Sequence, residues 1–274
     1  MSVMSYAARS AQQLGRLSRV ALCVAAVSVS ACQPANDPTS DDATSATHGT
    51  ATSGKKIRIA TEGAYQPFNY TNSDGSLAGY DVDVAKAVCA ELKADCQIVA
   101  QDWDGIIPGL LAGKYDAIVS GMSVTPERAA QVDFTQPYYK NTIVWLAPTT
   151  GKFNPANIKG YKLATQRSTT LGQYLQDHFK TDNDLKLYDT YDNAFMDLKS
   201  GRVDSVLAEK VTASEWLKQN HDKFAMMGDE IDNNDNIAIA VRRNDALKGE
   251  LDQALTTLKN NGQLDKLQQQ HFAQ

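Results

Sequence analysis

The sequence predicts an α/β fold in two lobes, and three observations predict it. Short apolar runs of strand length alternate with helical stretches, the pattern of a parallel sheet covered by helices. The alternation gives way to a long extended run from Phe134 to Leu146 and then restarts, without a convincing internal sequence repeat. The chain has 274 residues, enough for one large or two modest domains.

Composition narrows the function classes. Hydrophobic residues make up 42% and charged residues 22%, the balance of a soluble globular protein. The net charge of -5 gives a nucleic-acid partner no electrostatic support and is compatible with a small cationic ligand.

The N-terminus reads as a targeting segment. Arg9, Arg16 and Arg19 form a positive region ahead of the apolar run Val20 to Val27, which is too short to span a bilayer. Val29-Ser30-Ala31-Cys32 resembles a bacterial lipobox, in which the cysteine becomes the lipidated first residue of the mature chain; an ordinary secretory signal with a chance cysteine is the alternative. Residues 33–54 are rich in Ser, Thr, Asp, Ala and Pro with almost no large apolar side chains, a disordered tether. The expected organisation is a signal over 1–32, the tether over 33–54, lobe 1 over 55–142 and 237–274, and lobe 2 over 143–236.

The folded part opens with a strand, Lys56 to Ala60. The loop Thr61 to Phe68 follows at its C-terminal end, where open α/β sheets place ligands. Asp74-Gly75 is a hairpin-type turn. Asp81 to Leu92 reads as a helix with Val84, Val88 and Leu92 on one face, Cys96 to Ala100 as a strand, and Trp103 to Leu111 as the entry to a second helix. Tyr115 to Val119 is a short buried strand. After the extended run come strand Lys162 to Thr165, a turn at Gln166 to Thr170, helix Leu171 to Phe179 and strand Leu185 to Leu187. Helix Asn193 to Ser200, strand Val203 to Ala208 and helix Thr212 to Gln219 continue the pattern. A polar run, Asp229 to Asn236, precedes strand Ile237 to Val241, and Leu247 to Phe272 is helical with a break at Gly262.

The stretch Ser120 to Arg128 carries the most chemistry. Thr125 followed by Pro126 is a helix-start signal, so hydroxyls, a glycine and one guanidinium gather where a strand ends and a helix begins. Open backbone N–H groups favour an anion there. Arg128 in the first turn can fork onto a carboxylate. No nucleophile has a base beside it, which makes the stretch a carboxylate clamp rather than a reaction centre. Taken alone, Arg128 also fits a solvated arginine after a strand–helix turn.

Cysteine usage agrees with an oxidising compartment. With Cys23 removed and Cys32 lipidated, Cys89 and Cys96 remain and can pair, tying a helix end to the next strand. Closing so short a loop contributes about 2–3 kcal/mol. The four histidines, His48, His178, His221 and His271, are scattered, so neither a metal nor a cofactor is expected.

Several of these stretches together carry a resemblance. Ile57-Arg58-Ile59-Ala60-Thr61-Glu62-Gly63-Ala64-Tyr65-Gln66-Pro67-Phe68 looks like the opening of the extracellular solute-binding proteins of family 3, the periplasmic amino-acid receptors of ABC importers. Gly79-Tyr80-Asp81-Val82-Asp83, Trp103 to Leu110, Tyr115 to Ser123, Thr125-x-x-Arg128, Asp133-Phe134-Thr135-x-Pro137-Tyr138 and Ser200 to Asp204 fit in the same order, and the lysine/arginine/ornithine and histidine receptors are nearest in pattern. The resemblance implies a type II periplasmic binding protein: two α/β lobes, a two-strand hinge near Asn141–Trp145 and Asn234–Ala238, and a ligand cleft between the lobes that closes by hinge motion.

It also implies roles. Arg128 would hold the ligand α-carboxylate, helped by Ser123 and the Ser120-Gly121-Met122 stretch. Thr169 and Thr170 would add contacts from lobe 2, whose loop also contains Gln166. Tyr65 and Trp103 would sandwich the ligand side chain, Glu62 would face its distal end, and Glu209 would stand where such receptors place an aspartate for the α-ammonium. By themselves Tyr65 and Trp103 also fit core aromatics, Glu62 a surface carboxylate, and Thr169 and Thr170 a helix cap.

Charge counting then selects a ligand class. Arg128 neutralises a carboxylate and Glu209 an ammonium, which leaves Glu62 unpaired in a cleft that dries on closing, at a cost of several kcal/mol. A cationic side chain removes that cost, and flanking aromatics add about 0.5–2 kcal/mol of cation–π attraction. The expectation is a non-enzymatic, monomeric receptor for arginine, lysine, ornithine or histidine, held to a membrane only by its lipid and handing ligand to an ABC permease. The alternatives are a cyclohexadienyl or arogenate dehydratase on the same fold, with Glu209 as general acid, and a ligand-sensing lipoprotein.

Overall fold

In the computed structural model, residues 54–272 are described; the signal segment, Cys32 and residues 33–53 of the expected tether lie outside them. The first strand, β1 (Lys56–Thr61), begins with a period-two pattern, burying Ile57 and Ile59 and exposing Lys56 and Arg58, and ends with both faces covered, Ala60 packing in a second cluster with Ile106 and Leu110. A small three-stranded sheet follows: β2 (Ala64–Tyr65), β3 (Asn69–Thr71) and β4 (Leu77–Ala78), with the Asp74-Gly75 turn between the last two. Helix α1 (Tyr80–Glu91) buries Val84 and Val88, and Cys89 near its end is bonded to Cys96 of β5 (Asp95–Ala100).

Then come α2 (Trp103–Leu111), β6 (Ala117–Ile118), the single turn α3 (Pro126–Ala129) and the long strand β7 (Val132–Pro148). The second half holds β8 (Lys162–Gln166), α4 (Thr170–Phe179), β9 (Asp184–Tyr188), α5 (Tyr191–Lys199), β10 (Ser205–Glu209) and α6 (Lys210–Leu217). The chain ends with β11 (Phe224–Arg242), α7 (Leu247–Asn260) and α8 (Gln263–Phe272), the last two parted at Gly262.

Eight strands form one sheet in the order β5-β1-β6-β11-β7-β10-β8-β9. The wings pair in parallel, β5 with β1, β1 with β6, β10 with β8 and β8 with β9. Both central strands run antiparallel to their neighbours, so the sheet is mixed rather than the parallel sheet expected from helix–strand alternation. The reason lies in their length: β7 and β11 each run from one wing to the other. The end of β7 pairs with β10, while the end of β11 pairs with β6.

Two boundaries differ from the sequence pattern. The polar run Asp229 to Asn236 lies inside β11, because its backbone pairs with β7 at Ile231–Ile143 and Asp235–Asn141 while most of its side chains face solvent. The register slips between Met227 and Ile231 and again between Ile231 and Asp235. Conversely, only Ala117 and Ile118 of the apolar run Tyr115 to Val119 make ladder pairs, although Tyr115, Val119 and the two between-lying apolar residues are all buried.

Candidate functional site

The C-terminal ends of β1, β6, β8 and β10 converge on one small cavity, largely closed by its own side chains. Its walls are Glu62, Tyr65, Trp103, Ser120, Gly121, Ser123 and Arg128 from one side and Gln166, Thr169, Thr170 and Glu209 from the other. Two larger grooves open beside it, one around Phe195, Met196 and Trp216 and one around Tyr174 and His178, but neither gathers buried carboxylates.

Each wall residue is held by local backbone chemistry. Glu62 sits just past β1, where its N–H donates to Ser120 Oγ at 2.8 Å. The loop behind it is braced by a buried chain: Gly63 N–H to Asn69, Asn69 Nδ2 to Asp81 Oδ2 at 2.8 Å, and Tyr138 hydroxyl to Asp81 Oδ1 at 2.6 Å. Burial pushes the Asp81 carboxyl up to about 6. Gly121 has φ +53°, and a Cβ there would lie 2.6 Å from the Tyr65 ring, so glycine is what lets that ring reach the cavity floor. Thr125 caps α3 by accepting the Arg128 N–H at 3.2 Å, which aims the arginine. Thr169 caps α4 through Gly172 N–H at 3.0 Å.

The two sides touch across the cavity. Gln166 Nε2 donates to Glu62 Oε1 at 2.6 Å, and Arg167 pairs with Asp104 at 2.5 Å. The Ser168 carbonyl accepts from Trp103 Nε1 at 3.0 Å and from Arg128 Nη2 at 3.2 Å. Arg128 Nη1 also donates to the Ser123 carbonyl at 2.9 Å, and its guanidinium lies 5.1 Å from the centre of the Trp103 ring. Tyr65 stacks on Phe68 at 4.9 Å and on Tyr191, from the opposite wall, at 5.6 Å. The aromatic pair expected to flank a ligand side chain is therefore in contact with protein groups here.

The electrostatics are lopsided. Burial raises the Glu62 carboxyl to about 7; Glu209, Asp102 and Asp192 push the same way, and the Gln166 hydrogen bond opposes them. Glu209 also rises to about 7, from burial and from the charge of Asp235, against hydrogen bonds from Tyr191 and Tyr65. Burial lowers the Arg128 guanidinium to about 10, with Asp235 and Glu127 opposing. Asp235 is itself raised by burial, with Ser123 and Arg128 opposing. Three buried carboxyls, Glu62, Glu209 and Asp235, thus gather around a site whose lining holds one guanidinium, Arg128.

Of the twelve expected ligand contacts, only Met122 is absent from the cavity wall: it is fully buried in a core cluster with Ile106, Leu110 and Val132. Its apolar side chain gains more from that cluster than from a polar cavity. Sequence reasoning missed Ser168, Tyr191 and Asp235. Ser168 adopts φ +58°, for which a serine gives no sequence signal. Tyr191 stands at the first position of α5, just ahead of the stretch expected to be helical. Asp235 lies in the polar run Asp229 to Asn236, within the expected hinge stretch Asn234–Ala238, which the sequence pattern does not connect with ligand contacts. Among the described residues, no group of His, Cys, Asp and Glu could hold a metal ion.

The family of bacterial extracellular solute-binding proteins, family 3, matches residues 57–274. The ABC transporter arginine-binding protein 1 of Escherichia coli strain K12 is 36% identical over 229 residues, covering 82% of this chain and 93% of that protein. An ancestral arginine-binding protein bound to arginine superposes with TM-score 0.75 at 32% identity, over 81% of this chain and all of that one. An ancestral amino-acid-binding protein, a precursor of cyclohexadienyl dehydratase, has TM-score 0.71 and 29% identity, over 79% of this chain and 95% of that one.

Proposed function

This chain belongs to the bacterial extracellular solute-binding proteins of family 3 and has the type II periplasmic binding protein fold, and we propose that its solute is a basic amino acid handed to an ABC permease. The carrying observation is Glu62, buried at 7% exposure with a neutral amide as its hydrogen-bond partner, across a cavity whose one guanidinium is Arg128. A ligand carboxylate on Arg128 and a cationic side chain against Glu62 would pair both. Glutamate or aspartate would set a second negative charge against Glu62. In this reading the lobes are 55–142 with 237–274 and 143–236. Ligand stabilises their closed arrangement by bridging the walls that Gln166 and Ser168 already join to Glu62, Trp103 and Arg128.

Arginine-binding relatives support the ligand class, and periplasmic ones the compartment. Cys32 would carry a lipid that holds the monomer at the membrane; retention in the membrane fraction that survives Cys32→Ser would refute that anchor.

The test of function is a thermal-shift panel of arginine, lysine, ornithine, histidine, glutamine, glutamate and prephenate. A ligand at about 1,000 times its Kd adds about 4 kcal/mol of stability. Basic amino acids should give the largest shifts, and a larger shift with glutamate or glutamine overturns the assignment. One observation favours a second reading. Glu209, near 7, is poised as a general acid, and a similar fold belongs to a precursor of a dehydratase. Turnover of prephenate or arogenate would establish it.

A further inference from the structure

We propose that Asp235, on the central strand β11, is a second counter-charge for the ligand ammonium, opposite Glu209 and shared with it. The inference rests on the amino-acid reading above and adds a residue that selects the ligand.

Strand registers place the two carboxylates. Glu209 pairs antiparallel with Ile143 of β7, and Asp235 pairs antiparallel with Asn141 of the same strand. Residues paired in an antiparallel ladder share a face, and so do residues two apart on one strand. Glu209 and Asp235 therefore rise from the same face, on either side of β7. Ideal strand spacing puts their Cα atoms about 12 Å apart. That is too far for the side chains to meet, and right for one small cation between them.

Both carboxylates are unfinished. Asp235 is 5% exposed and Glu209 6%, yet Asp235 Oδ2 and Glu209 Oε2 have no hydrogen-bond partner. Buried carboxylate oxygens are costly in that condition. An ammonium carries three donors and could serve both.

Asp235 is also the strongest charge felt by both Arg128 and Glu209, and it is hydrogen-bonded by Ser123. Its charge thus reaches both the group assigned to the ligand carboxylate and the group assigned to its ammonium, from just behind the residues that line the cavity. In an α-amino acid those two ends are held on one carbon. Glu209 is one methylene longer than the aspartate the family resemblance leads one to expect, and the extra reach moves the ammonium toward β11. The specificity consequence is chemical. An unsubstituted ammonium fits between two carboxylates, whereas an N-carboxyalkyl amino acid would press a further negative charge against both.

The experiment is a cycle between protein and ligand, read by calorimetry. Wild type, Asp235→Asn and Asp235→Ser are each titrated with arginine and with 5-guanidinopentanoate, which is arginine without its α-ammonium. Both variants should lose at least tenfold in affinity for arginine and less than threefold for the deaminated analogue, with ligand-free thermal melts at neutral pH no lower than that of the wild type. Equal losses for the two ligands would mean that Asp235 acts by bracing Ser123, Arg128 or Asn141, and would overturn the proposal. No loss, or a gain with both ligands, would overturn it as well. Should neither variant fold, wild type alone decides: Nα-carboxymethylarginine should bind at least a hundredfold more weakly than arginine, and equal binding refutes the shared cradle. A wild type that binds no amino acid instead refutes the functional reading itself.

Discussion

In the proposed reading, Glu62 is the residue on which ligand choice turns. Its one side-chain hydrogen bond comes from the Gln166 amide, and burial holds its carboxyl near 7. Glu62→Gln keeps the size and removes the charge. Arginine should then bind roughly tenfold or more weakly, because a charge-assisted hydrogen bond becomes a neutral one. Citrulline, neutral and of similar length, should gain relative to arginine. The measurement is the ratio of the two affinities in wild type and variant, and a ratio that does not move removes Glu62 from ligand selection. Arg128 stands out in the sequence because it follows a strand end and a helix-start signal, whereas Glu62 and Thr169 are named as ligand contacts only through the family resemblance. Ser168 and Asp235 are legible in neither way, because their roles come from tertiary placement. Ser168 contributes a carbonyl from a left-handed turn. Asp235 is buried on β11 opposite Asn141, a placement that no local pattern announces.

At the scale of elements, α3 is the weakest part of the site and the one most open to perturbation. It is four residues long, begins with Pro126, and its first turn is fastened by Thr125 Oγ1 to the Arg128 N–H. A single turn has little cooperative stability of its own. Thr125→Ala should cost about 1 kcal/mol of local stability, as other N-cap losses do. Because Arg128 lies in that turn, most of the effect should appear as weaker binding, while the global Tm falls by only a few degrees. A large drop in Tm with unchanged affinity would show that α3 supports the fold rather than the arginine. The Thr125-Pro126 pair made this element readable in advance, as apolar periodicity did for α1 and for β8. The central strands were harder. Apolar alternation marks only the ends of β7 and β11 that lie in the core, and the middle of β11 is polar because it crosses between the wings, where solvent reaches its side chains.

The molecule as a whole pays for its ligand site in the unliganded state, and pH exposes this. Glu62 and Glu209 sit near 7 and Asp81 near 6, all above ordinary carboxyl values of about 4. For a carboxyl raised on folding, the folded state binds more protons than the unfolded chain between the two pKa values. Stability from these groups is therefore complete below about pH 4 and is lost as pH rises through 6 to 7. A tenfold difference in proton affinity between the folded and unfolded chain is worth about 1.4 kcal/mol. Because the cleft carboxyls interact, their combined effect is of order a few kcal/mol, less than the same groups would contribute independently. The ligand-free protein should accordingly melt several degrees lower at pH 8 than at pH 5.5, since about 1 kcal/mol moves Tm by roughly 2–4 °C in a chain of this size. Arginine should reverse the trend. At pH 8 the cleft carboxylates are ionised and its cationic groups pair with them, so the rise in Tm at saturating arginine should be larger at pH 8 than at pH 5.5. In Glu62→Gln one of the raised carboxyls is gone, and the ligand-free melt should depend less on pH. Melts of both proteins at the two pH values, with and without arginine, are the measurement. A wild-type Tm that is flat or rises from pH 5.5 to 8 would mean that the buried carboxyls already have their counter-charges within the protein, and the electrostatic case for a cationic ligand would fall with it.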